Sequence, residues 1–237
     1  MIRQPSKVLL SWSSGKDSAW ALHVLRQDPA VEVVGLLTTF NEVYDRVAMH
    51  AVRRDVVEAQ ARAAGLPLWH VPIPSPCPNE VYEDRMRAAL ERAQAAGVTG
   101  VAFGDLFLED VRRYREDRMA GTGIVPLFPL WGRPTPALAR AMIAGGLRAR
   151  ITCVNPARLD RGFAGREFDA ALLAELPDDV DPCAERGEFH TCCYAGPMFD
   201  APVPVTAGEV VEREGYVFAD LTHKRSRAGT RRAPAPG

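Results

Sequence analysis

The feature that most constrains this chain is a short apolar run that turns without a linker into a helix. Residues 7–13, KVLLSWS, read as a buried strand; SSGKDS follows at once, and SAWALHVLRQ then spaces Ala19, Leu22 and Leu25 as a helix does. The alternation continues, with VEVVGLLTT (31–39) as a second strand and residues 48–64 as a helix with Val52, Val56, Val57 and Ala61 on one face, stopped by Gly65. LWHVPIP (68–74) is a third strand, 79–96 a long helix, 98–105 a fourth strand, 108–119 a charged helix and 123–132 a fifth strand broken by Pro126 and Pro129. Strands alternating with helices imply an α/β fold: a parallel, doubly wound sheet joined by right-handed crossovers.

The texture changes after Trp131. A helix over 135–146, a strand in LRARITCVNP, a helix over 165–176, a polar carboxylate-rich loop in PDDVDPCAERGEFHT and one or two short strands within 209–221 suggest a second, smaller α/β domain. The expected division is 1–131 for a nucleotide-binding domain, 132–222 for a substrate-binding domain and 223–237 for a disordered basic tail. That tail carries five basic residues and no acidic one.

Over 237 residues, 29 Lys+Arg oppose 30 Asp+Glu, a net charge of -1. Such a balance argues against a dedicated nucleic-acid binder. No apolar run approaches the ~20 residues of a membrane span, and no secretory signal is evident. The five cysteines, Cys77, Cys153, Cys183, Cys192 and Cys193, form no C-x-x-C pair, so a disulfide framework and a zinc ribbon are not indicated. A cytoplasmic protein with reduced thiols is expected. His190 with Cys192 and Cys193 fits no common zinc spacing, and adjacent side chains of a strand point to opposite faces.

The SSGKDS segment sits where open α/β sheets bind ligands, at the carboxyl end of the first strand. Unpaired N–H groups at a helix N-terminus favour an anion. Gly15 allows close backbone approach, the hydroxyls of Ser13, Ser14 and Ser18 can donate, and Lys16 adds charge. Lys16 is one of only three lysines in a chain that otherwise uses arginine. A Walker A loop is excluded, because Leu10 occupies the place of its first glycine and Asp17 follows the lysine. The segment instead resembles the S-G-G-x-D-S pyrophosphate loop of the N-type ATP pyrophosphatase superfamily, the adenine nucleotide alpha hydrolase-like proteins, with Ser14 in place of a glycine. That resemblance implies an ATP pyrophosphatase fold in which Ser13, Ser14, Gly15, Lys16, Asp17 and Ser18 surround the β,γ-pyrophosphate of ATP. Mg²⁺ near Asp17 would offset its charge.

A second segment, DPCAERGEFHT (181–191), sets Glu185, Glu188 and His190 within six positions. It is similar to the C-G-E-x-G-E-[FY]-H-T motif of the diphthine–ammonia ligase family. FGDLFLEDVRRYRE (103–116), PLWG (129–132) and GREFD (165–169) agree with the same family in the same order, to about residue 205. Ala184 departs from the family glycine and is ill suited to a left-handed backbone.

The resemblance implies a ligase that adenylates a carboxylate with ATP and transfers ammonia, releasing AMP and pyrophosphate. Lys16 and Asp17 would act with Glu185, Glu188 and His190 in catalysis. Glu185, Gly187, Glu188, His190 and Thr191 would bind the acceptor, a small molecule or a modified protein side chain. Thr38 and Thr39, ending the second strand with Asn41, are candidates for the adenine site. Gly104 and Asp105 are candidates for the ribose or α-phosphate, with Asp105 alternatively capping the next helix. His190 is the first choice for a general base on intrinsic pKa; His50 and His70 are not assigned. With no glutaminase domain visible, free ammonia is the expected nitrogen source. Two other readings stay open: an adenine-nucleotide sensor, and sulfur transfer to RNA through Cys192 and Cys193. Homo-oligomerisation is open as well.

Overall fold

The computed structural model describes residues 4–47 and 52–223. His50 and residues 224–237 of the expected tail lie outside the described residues, and the tail's first residue, His223, instead ends a strand.

The first half is built as β1 (Ser6–Ser11), α1 (Lys16–Leu25), β2 (Val31–Asn41), β3 (Arg46–Val47), α2 (Arg54–Ala63), β4 (Leu68–Ile73), α3 (Asn79–Ala95), β5 (Gly100–Ala102), α4 (Glu109–Met119) and β6 (Val125–Leu127). Its sheet is parallel in the order β4-β2-β1-β5-β6, with the two-residue β3 antiparallel to the end of β2. Chain order runs outward from β1 in one direction to β2 and in the other to β5. The carboxyl ends of β1 and β5 therefore flank a topological switch point, the ligand crevice of open α/β sheets.

Burial follows the pleat of β1, whose successive side chains face opposite sides. Val8 and Leu10 pack with α1 and α2, through Trp20, Leu22, Val56 and Val57. Leu9 packs on the other face with Ala89, Leu90 and Ala93 of α3 and Met119 of α4. The sheet is covered on both sides, as the uninterrupted apolar runs require. α4 buries little besides Met119, which fits its charged sequence.

The second half contains α5 (Thr135–Ala144), β7 (Arg148–Val154), α6 (Ala170–Glu175), β8 (Phe189–Ala195), β9 (Val205–Arg213) and β10 (Tyr216–His223). Its four strands form an antiparallel sheet in the order β8-β7-β10-β9. Met142, Ile151, Leu172, Phe189, Cys192 and Cys193 belong to the same apolar cluster as α1 and α2. One core thus runs from the first sheet's α1–α2 face into the second sheet.

Several boundaries differ from the sequence pattern for local reasons. The helix expected over 165–176 begins only at Ala170, because the Asp169 carboxylate caps it by accepting the Leu172 N–H at 2.8 Å. The preceding residues extend along β7 instead, with Phe168 N–H donating to the Ala149 carbonyl. The fifth strand keeps only Val125–Leu127. The hairpin β9–β10 is longer than expected and turns on Glu214 and Gly215, both at positive φ. β8 was not foreseen as a strand: FHTCCYA is buried on both faces and shows no alternation of polar and apolar residues.

Asp220 on β10 ties the second sheet to the first half. Its carboxylate accepts from Arg46 Nη1 at 2.8 Å and from Arg53 Nη2 at 2.5 Å. Burial works against its charge, but the two guanidiniums prevail and hold its pKa below the usual value. Asp220→Ala should cost about 1 kcal/mol, the scale of a partly exposed ion pair, read as a lower urea midpoint at unchanged slope.

Candidate active site

The SSGKDS loop leaves β1 at the switch point and enters α1 with Gly15 as N-cap, its backbone extended and no side chain of its own to cap the helix. The first turn of α1, with the positive end of its dipole, lines the cleft through Lys16, Asp17 and Ser18. Two residues make the close packing possible. A Cβ on Gly104, after β5, would lie 3.0 Å from the Asp17 carbonyl carbon and the Ser18 nitrogen, and one on Gly15 would lie 3.2 Å from the Thr191 carbonyl.

β8 grips this loop from the other half of the chain. Cys193 N–H donates to the Ser14 carbonyl at 2.8 Å, and Lys16 N–H donates to Thr191 Oγ1 at 3.0 Å. The Lys16 ammonium, 2% exposed, donates to Asp17 Oδ2 at 2.9 Å and to the Cys183 carbonyl. The rings of Phe168 and Phe189 lie 5.6 and 5.5 Å from it. Burial disfavours the Lys16 ammonium, but Asp17, Cys183 and Glu185 outweigh it and its pKa is raised. Burial also raises the Asp17 pKa against the pull of Lys16. The lysine's direction is the one the geometry supports, because its Nζ rests on two oxygen acceptors and two aromatic faces.

A cleft of about 220 Å³ opens here, lined from both motifs. Ser13, Gly15, Lys16, Asp17 and Ser18 of the loop, Gly104 and Asp105 after β5, and Glu185, Gly187, His190 and Thr191 of the second motif all line it. Asp105 faces the cleft beside Arg115, 3.4 Å away, and does not cap α4, whose N-cap is Leu108. Four expected residues do not line it. Ser14 is fully buried behind the loop, its Oγ without a partner. Thr38 spends its hydroxyl on the Trp12 carbonyl at 2.9 Å, and Thr39 pairs within the sheet against Val71. Glu188 is 2% exposed and accepts from the Asp181 N–H at 3.2 Å.

The two glycine replacements adopt the geometry that glycine would. Ser14 has φ 72° and Ala184 φ 57°. Left-handed backbone with a Cβ costs roughly 1–2 kcal/mol, and both residues are held there by surrounding contacts, Ala184 by its N–H to the Asp181 carbonyl at 2.7 Å.

The acid–base order of the second motif is inverted from intrinsic values. Burial, aided by the charge of Lys16, depresses His190 to about 4, so its imidazole is neutral. Burial raises Glu185 to about 7, although the Leu106 N–H donates to its Oε1 at 2.7 Å and opposes the shift. Glu185, not His190, titrates near neutrality.

Sequence reasoning missed Arg115, Phe103, Cys183 and Phe189 in the lining, and Gln60 behind it. Gln60 carried a signal: it falls four residues after Val56 on the buried stripe of α2, where an amide must find partners.

Among the described residues no group of three or more His, Cys, Asp or Glu is placed to hold a metal ion. Asp17 Oδ1 is buried without a partner, and Asp17 lines the cleft. One carboxylate completed by phosphates and water can hold Mg²⁺, so Asp17 is the residue that would hold it here.

Fold and site together define a two-sheet α/β protein with a cleft at its switch point, lined in part by an acidic motif that leads into the antiparallel sheet. The description "Diphthamide synthase N-terminal domain" matches residues 6–123 and "Diphthamide synthase C-terminal domain" matches 135–225. The chain belongs to the diphthamide synthase family. It is similar to a diphthine–ammonia ligase of Danio rerio, 29% identical over 194 residues and 75% of each chain. It is also similar to a diphthine–ammonia ligase of Schizosaccharomyces pombe, 26% identical over 226 residues, which are 87% of this chain but only 37% of that protein.

Two outcomes are expected. Ser14→Gly relieves the left-handed strain and removes an unpartnered buried hydroxyl, against the added freedom of the unfolded chain, for a net gain of about 1 kcal/mol, measurable by denaturant titration. Glu185 binds its proton more tightly folded than unfolded, so it lowers stability as pH rises from its ordinary 4.5 to about 7. Glu185→Gln should remove that decline while keeping an acceptor for Leu106, seen as a higher melting temperature than the parent at pH 8.

Proposed function

We propose that this protein is an ATP-dependent ligase that adenylates a carboxylate and amidates it with ammonia, releasing AMP and pyrophosphate. One observation carries the proposal: the phosphate-type loop and the acidic motif, far apart in sequence, line one cleft. The names of the similar proteins support it. The acyl substrate is a carboxylate on a small molecule or a modified protein side chain.

In this mechanism the loop and the α1 N-terminus hold the β,γ-pyrophosphate as leaving group, with Lys16 supplying fixed positive charge beneath it. The substrate carboxylate attacks the α-phosphorus, and the bond to the β-phosphate oxygen breaks. Mg²⁺ near Asp17, when bound, would neutralise phosphate charge. Glu185 takes a proton from ammonium at the cleft wall. The ammonia nitrogen attacks the acyl carbon, AMP leaves with the carbon–oxygen bonding pair, and the nitrogen passes its surplus proton to the departing AMP phosphate or to water. A carboxylate titrating near 7 suits this task, because base and ambient pH are matched. His190, neutral, orients the acceptor through hydrogen bonding, and Arg115 offers a planar guanidinium to an anionic group.

Sulfur transfer is disfavoured by the thiols. Cys192 and Cys193 are fully buried, and burial pushes Cys192 up to about 12 and Cys193 well above its usual value. A transferring cysteine needs an accessible thiolate. A nucleotide sensor would not require Glu185 in the same cleft.

The test is chromatography of nucleotide products with ATP, Mg²⁺, ammonium and candidate carboxylates. AMP and pyrophosphate are expected, and ADP as the sole enzyme-dependent product would overturn the ligase. The amidation rate should rise with pH through about 7 as Glu185 loses its proton. Glu185→Gln should lower it by about 10²–10⁴-fold while ATP binding, followed by calorimetry, persists.

A further inference from the structure

Gln60 is fully buried in α2, with no exposed surface, outside the cleft and outside both motifs. A buried primary amide is costly unless its donors and acceptor are all used. Here they are. Trp12 Nε1–H donates to Gln60 Oε1 at 2.9 Å, which fixes which end of the amide is oxygen. The opposite Nε2 donates to the Ser14 carbonyl at 3.0 Å and to the Cys193 carbonyl at 2.6 Å. One side chain therefore joins the residue after β1, the phosphate-type loop and β8.

The Ser14 carbonyl is the point of convergence. It accepts from Gln60 Nε2 and from the Cys193 N–H at 2.8 Å, while Ser14 sits at φ 72°. In a trans peptide the carbonyl and the following N–H point in opposite directions. Anchoring the Ser14 carbonyl on Gln60 and β8 therefore turns the Gly15 N–H away from them. Gly15 lines the cleft, and its N–H has only a long 3.4 Å contact to Ser13 Oγ. A left-handed serine has no intrinsic preference for this orientation; the doubly held carbonyl imposes it.

We infer that Gln60 is a positioning residue for the phosphate site: by holding the Ser14 carbonyl it aims the Gly15 N–H at the leaving pyrophosphate. This rests on the ligase proposal. It assigns to α2, which contributes no cleft residue, control over how the loop meets its anion.

The experiment measures pyrophosphate and AMP binding by calorimetry for the full chain and for Gln60→Met, which keeps the side-chain length and removes the amide. Loss of one oriented donor should weaken pyrophosphate about tenfold and leave AMP nearly unchanged. Gln60→Glu adds a readout that a merely structural role would not move. Its carboxylate cannot donate to two carbonyls, but its protonated form donates to one. Pyrophosphate affinity of Gln60→Glu, relative to the parent at each pH, should therefore recover as pH falls. Trp12→Phe, which frees the amide to turn over, should give a smaller loss of the same kind and serves if Gln60→Met does not fold. Equal weakening of AMP and pyrophosphate, or no recovery of Gln60→Glu at low pH, would overturn the inference. Parent-like pyrophosphate binding by folded Gln60→Met would overturn it while leaving the ligase proposal standing. If the parent itself binds neither ATP nor pyrophosphate, the ligase proposal fails and this inference fails with it.

Discussion

The hydrogen bonds from β8 to the loop after β1 are the constraint on which the site depends. A tight strand–turn–helix needs a residue at positive φ, and here that residue is Ser14, which would leave such a conformation if unsupported. Support comes from the opposite half of the chain, through the Cys193 N–H and Thr191 Oγ1. The antiparallel sheet is thus needed to shape the parallel sheet's loop. Ala184 repeats the relation in the other motif, where its turn places Cys183 O against Lys16 and Glu185 against Leu106.

Electrostatics in the cleft follow from the same closeness. Packing the second motif onto the loop removes water from Lys16, Asp17, Glu185 and His190 together. A lone buried ammonium would lose its proton, but two oxygens and two rings around Lys16 keep it charged. That retained charge depresses His190 further, while Glu185 lies far enough toward water and the Leu106 amide to remain titratable near 7. The chemical division between the two residues is an effect of burial and one lysine, and is invisible in their intrinsic pKa values.

The parallel sheet, its two covered faces and most helices were legible in the sequence, since long apolar runs alternating with amphipathic stretches leave few other solutions. The motifs also pointed to residues that meet in space, Lys16 and Thr191 among them. What was not legible was which side of the chain a residue would face. Glu188 and His190 are two positions apart in one segment, yet only His190 reaches the cleft, because Glu188 precedes β8 and turns toward Asp181. Thr38 was read from its place at a strand end, but its hydroxyl was taken by the Trp12 carbonyl. β8 escaped because a strand buried on both faces lacks the period-two signal, and the helix over 165–176 was drawn too long because Asp169 as a cap competes with continuation.

The apolar cluster that runs unbroken from α1 and α2 to Ile151, Leu172 and Phe189 has a mechanical consequence. Enzymes that close around a substrate commonly rock two bodies about a thin, polar seam. Here, parting the two sheets would bring fully buried leucine, isoleucine and phenylalanine side chains into water, at roughly 25 cal/mol for every Å² uncovered. The walls of the cleft are welded, not hinged. Selection among ligands at such a site falls to a preformed fit and to the side chains that line it, Arg115 among them.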